Sequence, residues 1–126
     1  MSAPPAPHSL ERYRSVFRPG LFDGRCVVVT GGGSGLGRCT VHELASLGAG
    51  LALVGRRIER LQAVADELAQ VYPEGAGRVS LHACDIRDAE AVKSTVRSVL
   101  QQHGRIDGLF NCAGGQFPAA LRDISL

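Results

Sequence analysis

The sequence has few aromatic residues and no long apolar run. Tryptophan is absent, and aromatic side chains make up 5% of the 126 residues. No apolar stretch approaches the roughly 20 residues that a membrane-spanning helix needs, and the Ala- and Pro-rich start lacks the charged-then-apolar pattern of a secretion signal. These absences predict an intracellular, cytoplasmic protein with no membrane span.

Neither sign of charge dominates. Fourteen basic residues, all Arg except Lys93, stand against 12 acidic ones, and the net charge of +2 is scattered along the chain. Nucleic acids and anionic membranes are bound by dense basic patches, so we exclude both as partners. The four cysteines form no C-x-x-C pair and the four histidines are dispersed, so we expect free thiols and no metal site.

The chain does contain short β-branched and apolar runs of the kind that form buried strands. The first, R-C-V-V-V-T, ends in glycines, and the third alternates polar and apolar residues. We predict strands at residues 25–30, 51–54, 79–83 and 106–112.

Between the predicted strands, apolar residues recur at helical spacing. The first helix is expected after Gly37, and the clearest pattern runs from Ile58 to Tyr72, where Pro73 stops it. Asp88 is a plausible N-cap for a third helix that ends at Gly104. For that helix we predict a buried face made by Val92, Val96, Val99 and Leu100.

The alternation of strand and helix predicts an α/β fold with one parallel sheet. We expect a Rossmann-type, doubly wound sheet, with an N-terminal arm at residues 1–22 and a nucleotide-binding domain at residues 23–126. Such folds normally continue with two or three more strands, so we expect the domain to be truncated after its fourth strand, as the first half of the fold.

The most informative stretch is the glycine-rich turn after the first strand, T-G-G-G-S-G-L-G at residues 30–37. Glycines at such a turn let the backbone approach a diphosphate, and the N–H groups of the following helix favour negative charge. The phosphate loop of nucleotide hydrolases is a competing interpretation, but it requires Lys and Ser or Thr where Arg38 and Cys39 stand. A turn that binds nothing is disfavoured by its place after the first strand. The turn therefore predicts a dinucleotide site.

The spacing of this turn resembles that of the short-chain dehydrogenase/reductase family. The family motif T-G-x-x-x-G-x-G matches residues 30–37 at each fixed position, and N-C-A-G at residues 111–114 resembles the family's N-N-A-G, with Cys112 in place of the second Asn. Asp85 matches the acid that contacts the adenine amino group, although a turn or capping residue is its competing role. The implied cofactor-binding residues in these motifs are Thr30, Gly31, Gly33, Ser34, Gly35, Leu36, Gly37, Asp85, Ile86, Asn111, Ala113 and Gly114.

The end of the second strand predicts which nicotinamide cofactor is used. NAD-specific sites place Asp or Glu there for the ribose 2′-hydroxyl, whereas this chain has Arg56 and Arg57. Guanidinium groups bind a 2′-phosphate through charge-assisted hydrogen bonds, so we predict NADP(H), with Arg38 as a third candidate. The competing interpretation is that both are solvated residues at a helix start, although a helix N-terminus disfavours cations.

The resemblance implies hydride transfer between nicotinamide C4 and a small-molecule substrate, helped by a Tyr-x-x-x-Lys pair and an upstream Ser. Tyr13 and Tyr72 are the only tyrosines, and neither has Lys four residues later. No catalytic residue is therefore assigned in this chain, and we expect those residues beyond Leu126.

The arm motif F-R-P-G-L-F at residues 17–22 and the G-G-Q-F run at residues 114–117 resemble peroxisomal trans-2-enoyl-CoA and 2,4-dienoyl-CoA reductases. This resemblance implies reduction of an enoyl-CoA in fatty-acid metabolism by a homo-oligomer, in the peroxisome if the source is eukaryotic. A citronellol-type alcohol dehydrogenase of the same family and a non-catalytic nucleotide-binding module are the alternatives.

Overall fold

The computed structural model describes residue 12 and residues 14–114, whose four strands form one parallel sheet in the order β3-β2-β1-β4. The strands are β1 (Cys26–Thr30), β2 (Gly50–Gly55), β3 (Val79–Ala83) and β4 (Gly108–Asn111). The helices are α1 (Gly35–Ser46), α2 (Ile58–Val71) and α3 (Ala89–His103), and a short 3-10 helix, Pro73–Arg78, joins α2 to β3. The predicted α/β fold is confirmed.

The register of the sheet brings the carboxyl ends of the strands to one edge. Thr30 at the end of β1 pairs with Val54 of β2 on one side and with Asn111 of β4 on the other. Gly55, which follows Val54, pairs with Ala83 at the end of β3. The turns that leave β1, β2, β3 and β4 therefore lie side by side, where open α/β sheets bind ligands.

One face of the sheet is covered by α1 and α2 and holds most of the buried apolar side chains. Because successive strand residues point to opposite faces, Val29 of β1 and Leu53 of β2 meet Val41 of α1 and Leu61 of α2 there. All of these side chains are fully buried. This layer buries more apolar side chains than the opposite face and therefore provides the larger hydrophobic contribution to stability.

The opposite face carries α3 and has a much smaller core. Its buried residues are Cys26, Ala52 and Val99, with Val28 and Ile106 packed against them. The predicted burial of Val96 and Leu100 is wrong, because these side chains are 42% and 45% exposed. Within the described residues α3 is the only helix on this face, so that only one side of it meets the sheet.

Several predicted boundaries shift by a few residues. Helix α1 begins at Gly35 instead of after Gly37, and β4 begins at Gly108 instead of Ile106. Asp107, just before β4, is bound to the start of β1 through its side chain: its Oδ2 accepts a hydrogen bond from the Cys26 N–H over 2.8 Å. The short helix after Pro73 was not predicted, since its P-E-G-A-G-R sequence has no apolar period.

The described part of the arm lies against the α1 and α2 side of the sheet. The Arg12 side chain donates from Nε to the Val71 carbonyl over 3.1 Å and pairs with Glu74. Phe22 packs against the core of that face, and its N–H donates to the Leu47 carbonyl over 3.0 Å. The division into an arm at residues 1–22 and a domain from residue 23 stays a prediction.

Candidate cofactor-binding site

A cleft of about 800 Å³ lies along the edge where the carboxyl ends of the strands meet. The turns after all four strands contribute to its walls. Most of the predicted cofactor-binding residues line it: Gly31, Gly33, Ser34, Gly35, Leu36, Gly37, Arg56, Arg57, Asp85, Ile86, Ala113 and Gly114. Lining residues that were not predicted are Gly55, Arg60, Leu61, Cys84, Arg87 and Cys112.

The floor of the cleft is the glycine turn, and two of its glycines leave no room for a side chain. A Cβ at Gly37 would lie 2.0 Å from the Gly31 carbonyl oxygen, and one at Gly31 would lie 2.8 Å from the Ala113 nitrogen. Gly31 also has φ of +68°. The turn therefore packs backbone against backbone. Gly35, with φ of +55°, has open space where its Cβ would stand, so a ligand can approach the chain there.

The N-terminus of α1 opens into this cleft without a side-chain cap. Ser34 occupies the N-cap position with an extended backbone, but its hydroxyl makes no capping hydrogen bond. Helix N-termini carry orphan N–H donors and partial positive charge, which together favour an anion such as a phosphate. The glycine turn and the helix start thus fit the diphosphate of a dinucleotide.

Two predicted residues lie behind the cleft wall rather than on it. The Thr30 hydroxyl accepts hydrogen bonds from the backbone N–H groups of Cys112 and Ala113, over 3.1 and 3.2 Å. It also lies 3.5 Å from Asn111 Oδ1, at the outer limit for a hydrogen bond. Thr30 therefore joins the ends of β1 and β4 and holds the Ala113 turn in place.

Arg38 is the predicted residue that the structure places elsewhere. Its guanidinium donates two hydrogen bonds to the Glu67 carboxylate of α2, over 2.8 and 2.9 Å. His42 Nε2 lies 3.0 Å from the same carboxylate. Burial acts to raise the pKa of Glu67, but the hydrogen bonds with Arg38 and His42 outweigh burial and lower that pKa. The Arg38 side chain therefore joins α1 to α2, and we do not propose it as a cofactor ligand.

The wall formed by the end of β2 and the start of α2 is strongly basic. Arg56 and Arg57 are exposed there, and Arg60 joins them from the first turn of α2. The sequence contains a signal for Arg60, because it lies within one helix turn of the predicted pair Arg56 and Arg57. The strand end alone did not reveal it.

Asp85 and Arg87 form an ion pair on the far wall, after β3. Arg87 donates from Nε and Nη2 to both carboxylate oxygens, at 2.8–3.2 Å, and from its N–H to Oδ1 over 3.0 Å. Hydrogen bonds from this guanidinium hold the pKa of Asp85 far below its ordinary value. Asp85 therefore stays ionised as an acceptor, and Arg87 is a site residue that the motif match did not reveal.

The remaining sequence candidates are structural or outside the described residues. Tyr72 is buried in the core, where its ring lies 5.2 Å from the Arg12 guanidinium carbon. Tyr13 and the G-Q-F part of the run at residues 115–117 lie outside the described residues. Of the cysteines, Cys26 and Cys84 are buried and Cys39 is exposed, and all four are free. No helix in the described ranges has the length and apolarity to span a bilayer.

This geometry agrees with comparisons to known proteins. The family model described as "short chain dehydrogenase" matches residues 25–126. The chain belongs to the short-chain dehydrogenase family. The family resemblance of the three motifs is thereby confirmed.

Two solved structures and one curated relative illustrate the similarity. A citronellol catabolism dehydrogenase of Pseudomonas aeruginosa PAO1 is 54% identical with a TM-score of 0.76, over 90% of this chain and 44% of that one. L-sorbose reductase of Gluconobacter frateurii, complexed with NADPH and L-sorbose, is 30% identical with a TM-score of 0.71, over 86% and 40%. A peroxisomal 2,4-dienoyl-CoA reductase of Arabidopsis thaliana is 33% identical over 88% of this chain and 36% of its own length.

The chain spans only part of these relatives. It covers between 33% and 42% of the length of the curated relatives it matches. The matched part contains the glycine turn and the strand ends of the cleft.

Proposed function

We propose that this chain is the cofactor-binding half of an NADP(H)-dependent oxidoreductase. The observation that carries the proposal is the pair Arg56 and Arg57 at the end of β2, on the wall of the cleft whose floor is the glycine turn. An NAD-specific site would place a carboxylate at this position. Asp85 is the one acid among the described residues that line the cleft; it pairs with Arg87, and the nearby Arg56 further lowers its pKa.

The parts of the cleft match the parts of the cofactor in order. The turn from Gly31 to Gly37 would hold the diphosphate, and Asp85 with Ile86 would hold the adenine. Arg56 and Arg57 would bind the 2′-phosphate, and the Asn111–Gly114 turn would face the nicotinamide half. When bound, the nicotinamide supplies or accepts a hydride at C4. The 54% identity to a dehydrogenase and the NADPH complex of the sorbose reductase support this assignment.

Two substrate classes follow from the relatives. Identity is 54% to the citronellol catabolism dehydrogenase and 33% to the dienoyl-CoA reductase. We therefore propose a citronellol-type substrate first and an enoyl-CoA second, which reverses the order expected from the sequence motifs. Turnover of citronellol with NADP⁺ by the intact protein, measured beside its turnover of a 2-enoyl-CoA with NADPH, decides between them. Binding of cofactor by the intact protein without turnover of either class would favour the non-catalytic module.

The cofactor proposal is tested by replacing one guanidinium. We expect Arg56→Ala to weaken NADPH binding by about 10- to 100-fold, as one charge-assisted hydrogen bond contributes about 1.5–3 kcal/mol. NADH binding should stay unchanged, because that cofactor has no 2′-phosphate. Calorimetric titration of the purified protein with each cofactor measures both affinities.

Arg97→Ala is the matched control, since Arg97 is an exposed residue of α3 and does not line the cleft. An NADPH-to-NADH preference that is the same in the parent and in Arg56→Ala would remove Arg56 from the site. The homo-oligomeric state and the cytoplasmic or peroxisomal location expected from the sequence stay predictions.

A further inference from the structure

Arg60 is the lining residue of the basic wall for which the motifs provide no role. It lies in the first turn of α2, where its N–H donates to the Arg57 carbonyl over 3.1 Å. Its side chain is exposed and borders the cleft beside Arg56 and Arg57. Three guanidinium groups are therefore borne by one strand end and the helix turn that follows it.

The glycine turn sets how closely Arg60 approaches the phosphate-binding floor. A Cβ built at Gly33 would lie 3.0 Å from the Arg60 Cβ and 3.4 Å from the Arg60 carbonyl carbon. Gly33 is not one of the fixed glycines of the T-G-x-x-x-G-x-G motif, and its φ is not positive. Glycine at position 33 therefore provides room for a close contact, not a backbone conformation that other residues avoid. It lets the start of α2 lie directly against the turn, with Arg60 at the contact.

No protein carboxylate neutralises this residue within the described part of the chain. Arg38, Arg87 and Arg105 each pair with an acid, namely Glu67, Asp85 and Asp107. Arg60 makes no such pair. Its neighbours at helical spacing on α2, at positions 63 and 64, are Ala and Val, and the adjacent Glu59 forms no ion pair with it.

The cluster lies where positive charge is least favourable. Arg56 and Arg57 precede α2 and Arg60 lies in its first turn, so three like charges repel one another at a helix N-terminus, which itself disfavours cations. The one acid of this turn, Glu59, forms no ion pair with them in the described part of the chain. A bound phosphate monoester, which carries about −1.5 to −2 charges at pH 7, would relieve both effects at once.

We propose that Arg60 is the third cation of the 2′-phosphate subsite and a residue that determines the preference for NADP(H) over NAD(H). This inference rests on the proposed function, because it assigns a further ligand to the same subsite. It also assigns Gly33 the task of admitting the helix turn that carries Arg60.

The test uses two ligands that differ by the phosphate in question, adenosine 2′,5′-bisphosphate and 5′-AMP. We expect Arg60→Ala in the purified protein to weaken binding of the bisphosphate by about 10-fold, the lower end for one charge-assisted bond because the site is open to water. Binding of 5′-AMP should be unchanged. Higher salt should reduce the difference between parent and variant, since exposed charges are screened.

Arg97→Ala again serves as the control with no expected effect. Equal weakening of both ligands by Arg60→Ala would overturn the inference in favour of a role in shaping the cleft. Unchanged binding of the bisphosphate would also overturn it. If Arg56→Ala removes the preference for the bisphosphate while Arg60→Ala does not, the proposed function stands and the Arg60 inference fails. A parent protein that binds both ligands equally would contradict the proposed NADP(H) preference itself.

Discussion

The two faces of the sheet are held together by different means. The face under α1 and α2 has a continuous apolar core that includes Val29, Leu53 and Val64, all at most 2% exposed. The face under α3 has a core of Cys26, Ala52 and Val99. Beside it stands a polar chain in which the Ser80 hydroxyl lies 2.8 Å from His82 Nε2 and 2.7 Å from His103 Nε2.

The helices of the two faces also differ in their caps, and here the helix on the face with the smaller core has the better hydrogen-bonded ends. Neither α1 nor α2 has a side-chain N-cap, although both are firmly packed. Helix α3 has both ends capped, since Asp88 accepts from the N–H groups of Glu90 and Ala91 and Gly104 adopts a left-handed conformation with φ of +75°. Local hydrogen bonds thus support the helix that buries less surface.

The absence of side-chain caps on α1 and α2 affects what the cleft can bind. The uncapped N-termini of α1 and α2 are the two that border it, so their free N–H groups are available to a ligand. Packing against the sheet maintains these helices without caps. Sites that need open helix ends therefore depend on a dense core beneath them.

The largest predicted effect compares the same substitution on the two faces. Val64→Ala should lower the free energy of unfolding by about 3 kcal/mol, because its dense surroundings do not collapse around the cavity. Val99→Ala should cost about 1.5 kcal/mol, close to the transfer free energy of two methylene equivalents, because α3 can move inward. Urea denaturation measures both values. A larger loss for Val99→Ala would contradict the assignment of the main core to the α1 and α2 face.

A smaller effect is expected from the helix caps. Asp88→Ala should lower stability by about 1 kcal/mol through loss of the α3 cap. Ser34→Ala, at the equivalent position of α1, should leave stability unchanged, since the Ser34 hydroxyl makes no capping bond. Thermal unfolding of the two variants tests the comparison, and equal losses would show that α1 also depends on its N-cap side chain.

The smallest effect concerns pH and the polar chain of the α3 face. Burial, and then the nearby His103, lowers the pKa of His82 below its ordinary 6.5, and burial lowers that of His103. The unfolded chain therefore binds more protons, so stability is complete above pH 6.5 and falls as the pH drops below it. We expect His82→Gln to flatten this fall in melting temperature between pH 7 and 5.

The α1 and α2 face offers an internal comparison for this experiment. The pKa of Glu67 is lowered from 4.5, so the stability that its pairing provides is lost only below that pH. A pH profile of His82→Gln that runs parallel to the parent between pH 7 and 5 would rule out His82 as the source of the fall.

Several elements could be predicted because a local cause determines them. Pro73 cannot continue a helix, and α2 ends at Val71. Asp88 has a side chain that bonds the first N–H groups of a helix, and it caps α3 as predicted. The glycine turn follows β1 as predicted, since its spacing is a property of the chain itself, although α1 already begins within it at Gly35.

Other features depend on partners that are distant in sequence. Arg38 resembled a phosphate ligand by its position, but Glu67, 29 residues away, binds its guanidinium. Val96 and Leu100 follow helical spacing, yet they are exposed because no further described element covers that side of α3. Arg87 acquires its role through Asp85, whose position in the cleft is set by the order of the strands.

By itself, the amino-acid order determined the strand and helix alternation, the glycine turn and the choice of arginine over a carboxylate after β2. These follow from backbone geometry and from charge within a few residues, and so need no knowledge of the fold. Tertiary structure alone decided which arginines face the cleft and which are neutralised by a carboxylate. The sheet order β3-β2-β1-β4 brings together residues far apart in the chain, and a guanidinium is free to bind a ligand only where that packing brings no acid to it.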